Sequence, residues 1–286
     1  MGADVNVEPR LAVDDLVAAA KAEVAASKAG AEVASARSVR RWVQFGLLDR
    51  PVVRGRGRGQ GVLALWSDNQ LRLFVELTRA QQRGASIPSL CNLPIWLWVW
   101  WGDSYVPLRQ VRRALETWAS ARTRPSWSDA LTVARAVVGK LAIAGTRRAV
   151  LRLFRQTIAD QAAGAFDPDT LRAAAKDAIE GEARRRRGPI GAQLDAARYA
   201  DLVAMRFEAL DHLDGLSEDD FESARLLLHH TKADYERKRP TFEADPDLGH
   251  LFSDTTQSDE INLACLDLVT ALGAVRRLRS VARGNA

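Results

Sequence analysis

The side chains best placed to do chemistry in this chain are arginines. Arg37, Ser38, Arg40, Arg41 and Gln44 lie in one short run closed by Gly46-Leu47-Leu48, and Arg54, Arg56 and Arg58 then alternate with Gly55, Gly57 and Gly59. Guanidinium groups are planar forks of donors that match phosphate oxygens, so arginines on a helix face, followed by more on a glycine-rich hairpin, suit a polyanion. The glycines lack a Gly-Lys-Ser/Thr and are therefore not a nucleotide-binding loop. A flexible arginine-glycine segment serves single-stranded nucleic acid equally well. Here the flanking helix and strand favour a wing against duplex DNA.

Other chemistries find little support. All four histidines, His212, His229, His230 and His250, fall in the last third of the chain. His230 and Asp234 share a helical face at i and i+4, but a metal needs at least one more placed ligand, and no HExxH accompanies them. Cys91 and Cys265 are the only cysteines, neither in a CxxC or Cys/His spacing, which excludes a sequence-evident zinc module or disulfide framework. Cys265 sits in an apolar stripe and reads as a buried structural thiol. No Ser/His/Asp arrangement or isolated carboxylate pair rises to catalysis, so neither an enzyme nor a cofactor is expected.

At 286 residues, 47% apolar and 27% charged, the chain has the composition of a globular protein of two or three units. Net charge is +5, and its distribution says more than its sum. Residues 190–286 hold 11 Lys or Arg against 18 Asp or Glu, a balance of −7, leaving 30 against 18, or +12, for residues 1–189. A basic front attracts a polyanion that an acidic back repels. The first thirty residues lack the apolar core of a signal peptide. The run Leu93 to Trp101 falls far short of the roughly 20 residues a membrane span needs. A cytoplasmic, nucleoid-associated protein with no membrane partner is expected.

The elements that must position the arginines are legible from periodicity. Residues 1–10 read as a loose tail and Leu11 to Ala34 as a helix interrupted near Gly30. A second helix covers Ser35 to Phe45, with Val39, Trp42 and Val43 inward and Arg37, Arg40, Arg41 and Gln44 outward. Pro51 to Trp66 reads as a hairpin. Ser67-Asp68 then caps a helix to Arg83 with Leu71, Phe74, Val75 and Leu77 as its stripe, stopped by Gly84. Residues 86–101 are apolar on every side, which points to core, to a dimer interface or to an aromatic pocket, with core the first choice. Four helices follow at 107–122, 126–142, 146–163 and 168–187, in which Arg109, Arg112, Arg113, Arg147, Arg148, Arg152 and Arg155 read as a solvated face or a wider basic surface. The run Arg184 to Arg187 marks a boundary. Beyond it helices cover 191–214, 217–238 and 258–282, the last with Ile261, Ala264, Cys265, Leu268, Leu272, Val275 and Leu278 as a stripe, and 241–257 reads as an acidic loop.

A helix with arginines, Gly-Leu-Leu, a basic hairpin ending in Trp66-Ser67-Asp68, and a Leu/Phe/Val-rich helix closed by Gln82-Arg83-Gly84 resembles the MerR family of winged-helix regulators over about residues 35–90. The resemblance implies that the run Ser38-Val39-Arg40-Arg41-Trp42 to Leu48 is a recognition helix for the major groove. It also implies a homodimer that bends or untwists a promoter. The expected fold class is mainly α, a winged helix-turn-helix followed by helical bundle regions. Its domains are a DNA-binding domain over 1–104, a basic helical region over 105–188 and an acidic helical bundle over 189–286. The expected function is a MerR-like transcriptional regulator of double-stranded DNA, read through Arg37, Ser38, Arg40, Arg41, Gln44, Arg54, Arg56 and Arg58. The alternatives are an architectural or phage recombination accessory DNA-binding protein, and an adaptor that holds a protein partner on residues 190–286.

Overall fold

Serine caps and positive-φ glycines set many of the element boundaries. The computed structural model describes residues 9–24, 34–55, 61–123, 196–246 and 257–284, with isolated positions between 148 and 173. Helix α1 spans Val13–Val24, α2 Ala36–Gln44, α3 Asp68–Gln82, α4 Ile87–Leu90, α5 Asn92–Trp101 and α6 Leu108–Thr123. Strands β1 at Val52–Gly55 and β2 at Val62–Leu65 lie between α2 and α3. Later come α7 at Ala196–Asp211, α8 at Glu218–Glu243 and α9 at Gln257–Gly284. The protein is mainly helical. The expected helices over 126–142, 146–163 and 168–187 lie almost wholly outside the described residues, as do Arg184 to Arg187 and His250.

The chain divides into two compact units, residues 1–119 with 260–265 and residues 120–259 with 266–286. The expected domains instead divide after residues 104 and 188. Most of α6 belongs to the first unit because its buried face, Val111, Ala114, Leu115 and Trp118, packs into that unit's core.

In the first unit Ser35 caps α2 by accepting from the Ser38 amide at 3.1 Å, and Ser67 caps α3 through the Gln70 amide at 3.4 Å. Both helices end in the same way. Beyond α2, Gly46 at φ +70 donates to the Val43 carbonyl and Leu47 to the Trp42 carbonyl; beyond α3, Gly84 and Ala85 repeat the pattern with Gln81 and Ala80. This is the Schellman arrangement, which satisfies carbonyls a helix end would otherwise leave open. The hairpin is antiparallel, with Val52 opposite Leu65, Val53 opposite Ala64, Arg54 opposite Leu63 and Gly55 opposite Val62. Leu16, Val39, Trp42, Leu47, Leu73, Phe74, Leu77, Ile95 and Trp98 form the core, and Trp42 meets Phe74 edge-on at 5.1 Å between centroids.

The N-terminal segment differs from the expected tail and helix. Leu11 forms a β-bridge with Trp66, and Arg10 pairs with Asp68 at 2.8 Å. Helix α1 therefore starts only at Val13, its first turn fixed by Asp15, whose carboxylate accepts from the Ala12 amide at 2.7 Å. The segment from 86 to 101 folds as α4 and α5. Its residues Leu90, Asn92, Ile95, Trp96, Trp98 and Val99 are buried, while Trp101 remains 51% exposed.

Cys91 is buried within this segment, between α4 and α5. Its thiol donates to the Ile87 carbonyl at 3.3 Å, and burial pushes its pKa up to about 12. The folded state therefore holds the thiol neutral. The stability this contributes is whole below the ordinary thiol value of about 8.5 and is lost as pH rises toward the folded value. Native protein is expected to leave Cys91 unreacted with a thiol reagent at about pH 8 and to react fully once unfolded. Stoichiometric labelling of Cys91 in the native state would refute this.

In the second unit Ser217 and Asp220 form a reciprocal capping box at the start of α8, with amide contacts of 3.2 and 2.7 Å. Helix α8 continues to Glu243, past the stop expected at 238, although Pro240 lies inside it. Proline removes one bond of the ladder, but the Ala244 amide returns to the Pro240 carbonyl at 3.3 Å. Tyr235 also stacks on Phe242 at 6.3 Å, bracing the turns on either side. Helices α7 and α9 bury Ala204, Phe207, Leu268, Val269 and Leu272 and are joined where Arg206 donates to Thr270 at 2.8 Å and Arg277 grips Glu208 at 2.8 and 3.1 Å. The apolar stripe of α9 ends at Val275; Leu278, expected within it, is exposed. Among the described residues no helix is long and apolar enough to cross a membrane.

Candidate nucleic-acid interface

Helix α2 has two opposed faces. Arg37, Arg40, Arg41 and Gln44, at i, i+3, i+4 and i+7, are all exposed, while Val39 and Trp42 on the far side are buried. The helix contains no acidic residue. Its outer face is thus uniformly cationic or amide-bearing and can donate to phosphate oxygens or base edges. Arg41 lies over the Phe45 ring at 5.4 Å, a cation–π contact that holds the side chain along the helix surface.

The expected site residues do not all share this face. Ser38 is half-buried, and its hydroxyl sits 2.8 Å from that of Ser35, so its place is in the N-terminal cap. Arg54 is exposed on β1, joined to α2 by the turn 45–51. Arg56 and Arg58 lie outside the described residues. Among the described residues no group of three metal-ligating side chains converges.

What fixes α2 comes from α3 and α6, whose partners lie 21 to 72 residues away in sequence. Thr117 donates to the Phe45 carbonyl at 3.0 Å and Arg113 to the Val43 carbonyl at 3.4 Å, placing a cation at the negative end of the helix dipole. Gly46 lies so close to α6 that an added Cβ would stand 2.3 Å from the Ala114 nitrogen. Asp49, buried in the turn between α2 and β1, gives its amide to Gln70 Oε1 at 2.8 Å and accepts from Trp66 Nε1 at 3.0 Å on its carbonyl. Gln70 donates to Gln110, and Gln110 to the Leu47 carbonyl, each at 2.9 Å. Arg109 closes the network on the Asp49 carboxylate, with Nε to Oδ1 at 2.9 Å and Nη2 to Oδ2 at 2.5 Å.

These contacts raise the pKa of Arg109 above its ordinary value, chiefly through the side-chain hydrogen bond to Asp49. A buried polar network with every member bonded rigidifies a turn and defines a single arrangement. Arg109, expected on a solvated or widened basic face, is exposed and is also bonded to Asp49, while Arg113 is half-buried and bonded to the end of α2. The only local hint was a glutamine on the buried face of each helix, Gln70 beside Leu73 and Phe74, and Gln110 one turn before Ala114. No family model matches the chain, and neither does any curated protein or solved structure.

Proposed function

We propose that the protein binds double-stranded DNA as a MerR-like winged-helix regulator, with α2 in the major groove and the β1–β2 hairpin against the adjacent backbone or minor groove. The observation that carries this reading is the outer face of α2. It presents three arginines and a glutamine over two turns with no acid among them, on a helix capped at both ends and anchored by Arg113, Thr117 and Gly46. A rigid helix loses little freedom on docking, so its charged face is spent on contact rather than on ordering. Arg37, Arg40 and Arg41 serve phosphates or guanine edges, Gln44 reaches base edges, and Arg54, with Arg56 and Arg58 after it in sequence, grips the backbone. The reading carries the homodimer that the family resemblance implies.

The test is retention of fragmented host DNA by the full chain at about 0.15 M salt, followed by sequencing of what is kept. A few enriched inverted repeats support a dimeric regulator. Uniform retention supports an architectural protein, and no retention removes the reading in favour of a protein partner for the acidic back. Removing two phosphate contacts with Arg40→Ala and Arg41→Ala together is expected to weaken binding at least tenfold and to flatten the log affinity against log salt slope by about 1.8. Unchanged affinity and slope would overturn the role given to α2.

A further inference from the structure

We propose that Arg109, held by Asp49, is a preset seat for one backbone phosphate of duplex DNA at the junction between α2 and the hairpin. The inference rests on the duplex-DNA reading and adds to it a residue from a distant helix. Asp49 sits in the turn that joins α2 to β1, and its carboxylate is buried with both oxygens taken by Arg109. Its backbone is held on either side by Gln70 and Trp66. Gln110, the neighbour of Arg109, is bonded to Gln70 and to the Leu47 carbonyl. The guanidinium is thereby oriented through the chain that carries it and through the carboxylate it grips.

A guanidinium has five N–H donors in a planar fork. Asp49 takes one on Nε and one on Nη2. With these two donors engaged, the side chain of Arg109 nevertheless remains 64% exposed. Arginine side chains are commonly exposed, and what distinguishes this one is that a buried carboxylate holds it at two nitrogens. One whose rotamer is already fixed loses less freedom when an anion arrives than an unrestrained surface arginine does.

Its place in the fold indicates which anion. The major groove and the adjacent minor groove are divided by one sugar-phosphate strand. A protein with a helix in the first and a hairpin against the second faces that strand with whatever lies between them. In this chain that is the turn 45–51 and the Arg109 side chain bonded to it at Asp49, with Arg50 exposed beside Asp49. The bound phosphate accepts from the outer donors while Asp49 keeps the inner two.

Arginine side-chain 15N spectra of the full protein test this, titrated with a duplex of about 20 base pairs, two helical turns. Arg109 is assigned by its absence from the spectrum of R109K. The expected result is that the Arg109 Nη signals shift and exchange more slowly on DNA addition, together with those of Arg40 and Arg41. If Arg40 and Arg41 respond while Arg109 stays unchanged, Arg109 is only a brace for the turn and the proposal is overturned with the DNA reading intact. If none responds, both fall. As a second measurement, the charge-conserving double variant Asp49→Asn with Arg109→Gln keeps net charge and an amide pair. It is expected to bind DNA about tenfold more weakly at an unchanged melting temperature. Equal affinity overturns the proposal.

Discussion

Gly46→Ala is expected to destabilise the first unit by about 3 kcal/mol or more. Two costs combine. The residue sits at φ +70, where a Cβ costs roughly 1–2 kcal/mol. The new Cβ would also stand 2.3 Å from the Ala114 nitrogen and 2.7 Å from the Arg113 carbonyl carbon. Those are backbone atoms of a helix and cannot swing aside, so α6 must move, and with it the Arg113 and Thr117 contacts that hold the end of α2. Gly84→Ala provides the control. It has φ +88 with open space around it, so only the conformational cost applies and about 1 kcal/mol is expected. Urea unfolding of both variants measures the difference. A Gly46→Ala protein within about 0.5 kcal/mol of the parent would show that the close approach of α6 is not a feature of the folded state.

Gly273→Ala reverses the sign that helix propensity assigns. In the interior of α9 an alanine is preferred to glycine by roughly 0.8–1 kcal/mol. In this fold its Cβ would lie 2.1 Å from the Met205 carbonyl oxygen and 2.6 Å from the carbonyl carbon. Relief requires α7 and α9 to separate where Leu268, Val269 and Leu272 are buried. Overpacking of that kind costs typically 1–3 kcal/mol, so steric displacement exceeds propensity and net destabilisation of about 1–2 kcal/mol is expected. Strain at Arg277, which grips Glu208 from the same helix, adds to it. The melting temperature measures the outcome, and a rise would mean that α7 and α9 do not meet at Gly273.

Local chemistry made much of the front of the molecule legible. Ser67 is a side-chain cap, Gly46 and Gly84 close their helices, and the apolar pattern around Arg54 to Gly61 gives the hairpin, because each signal acts within a few residues. The same holds for the Ser217–Asp220 box. The basic face of α2 is likewise a consequence of period 3.6 and needs no tertiary knowledge. Ser38 is the exception on that helix. Its type suits DNA contact, yet the nearer hydroxyl of Ser35 claims it.

The remainder depends on partners far away in sequence. Asp49 and Arg109 are 60 residues apart, Gln110 and Leu47 are 63, and Thr117 and Phe45 are 72. No periodicity in either segment encodes such pairings. Leu11 leaves the expected helix because Trp66 offers it a bridge, Pro240 is accommodated within α8, where Tyr235 stacks on Phe242, and Leu278 is exposed where the stripe of α9 stops. The sequence by itself determined the ends of α2 and α3, the start of α8 and which face of α2 is charged, since caps, glycines and periodicity act over one or two turns. Only the tertiary structure decided what holds that face in place and which arginines are tied to the chain rather than left in solvent. A buried carboxylate or an open carbonyl takes whichever donor the packing of distant helices brings within reach.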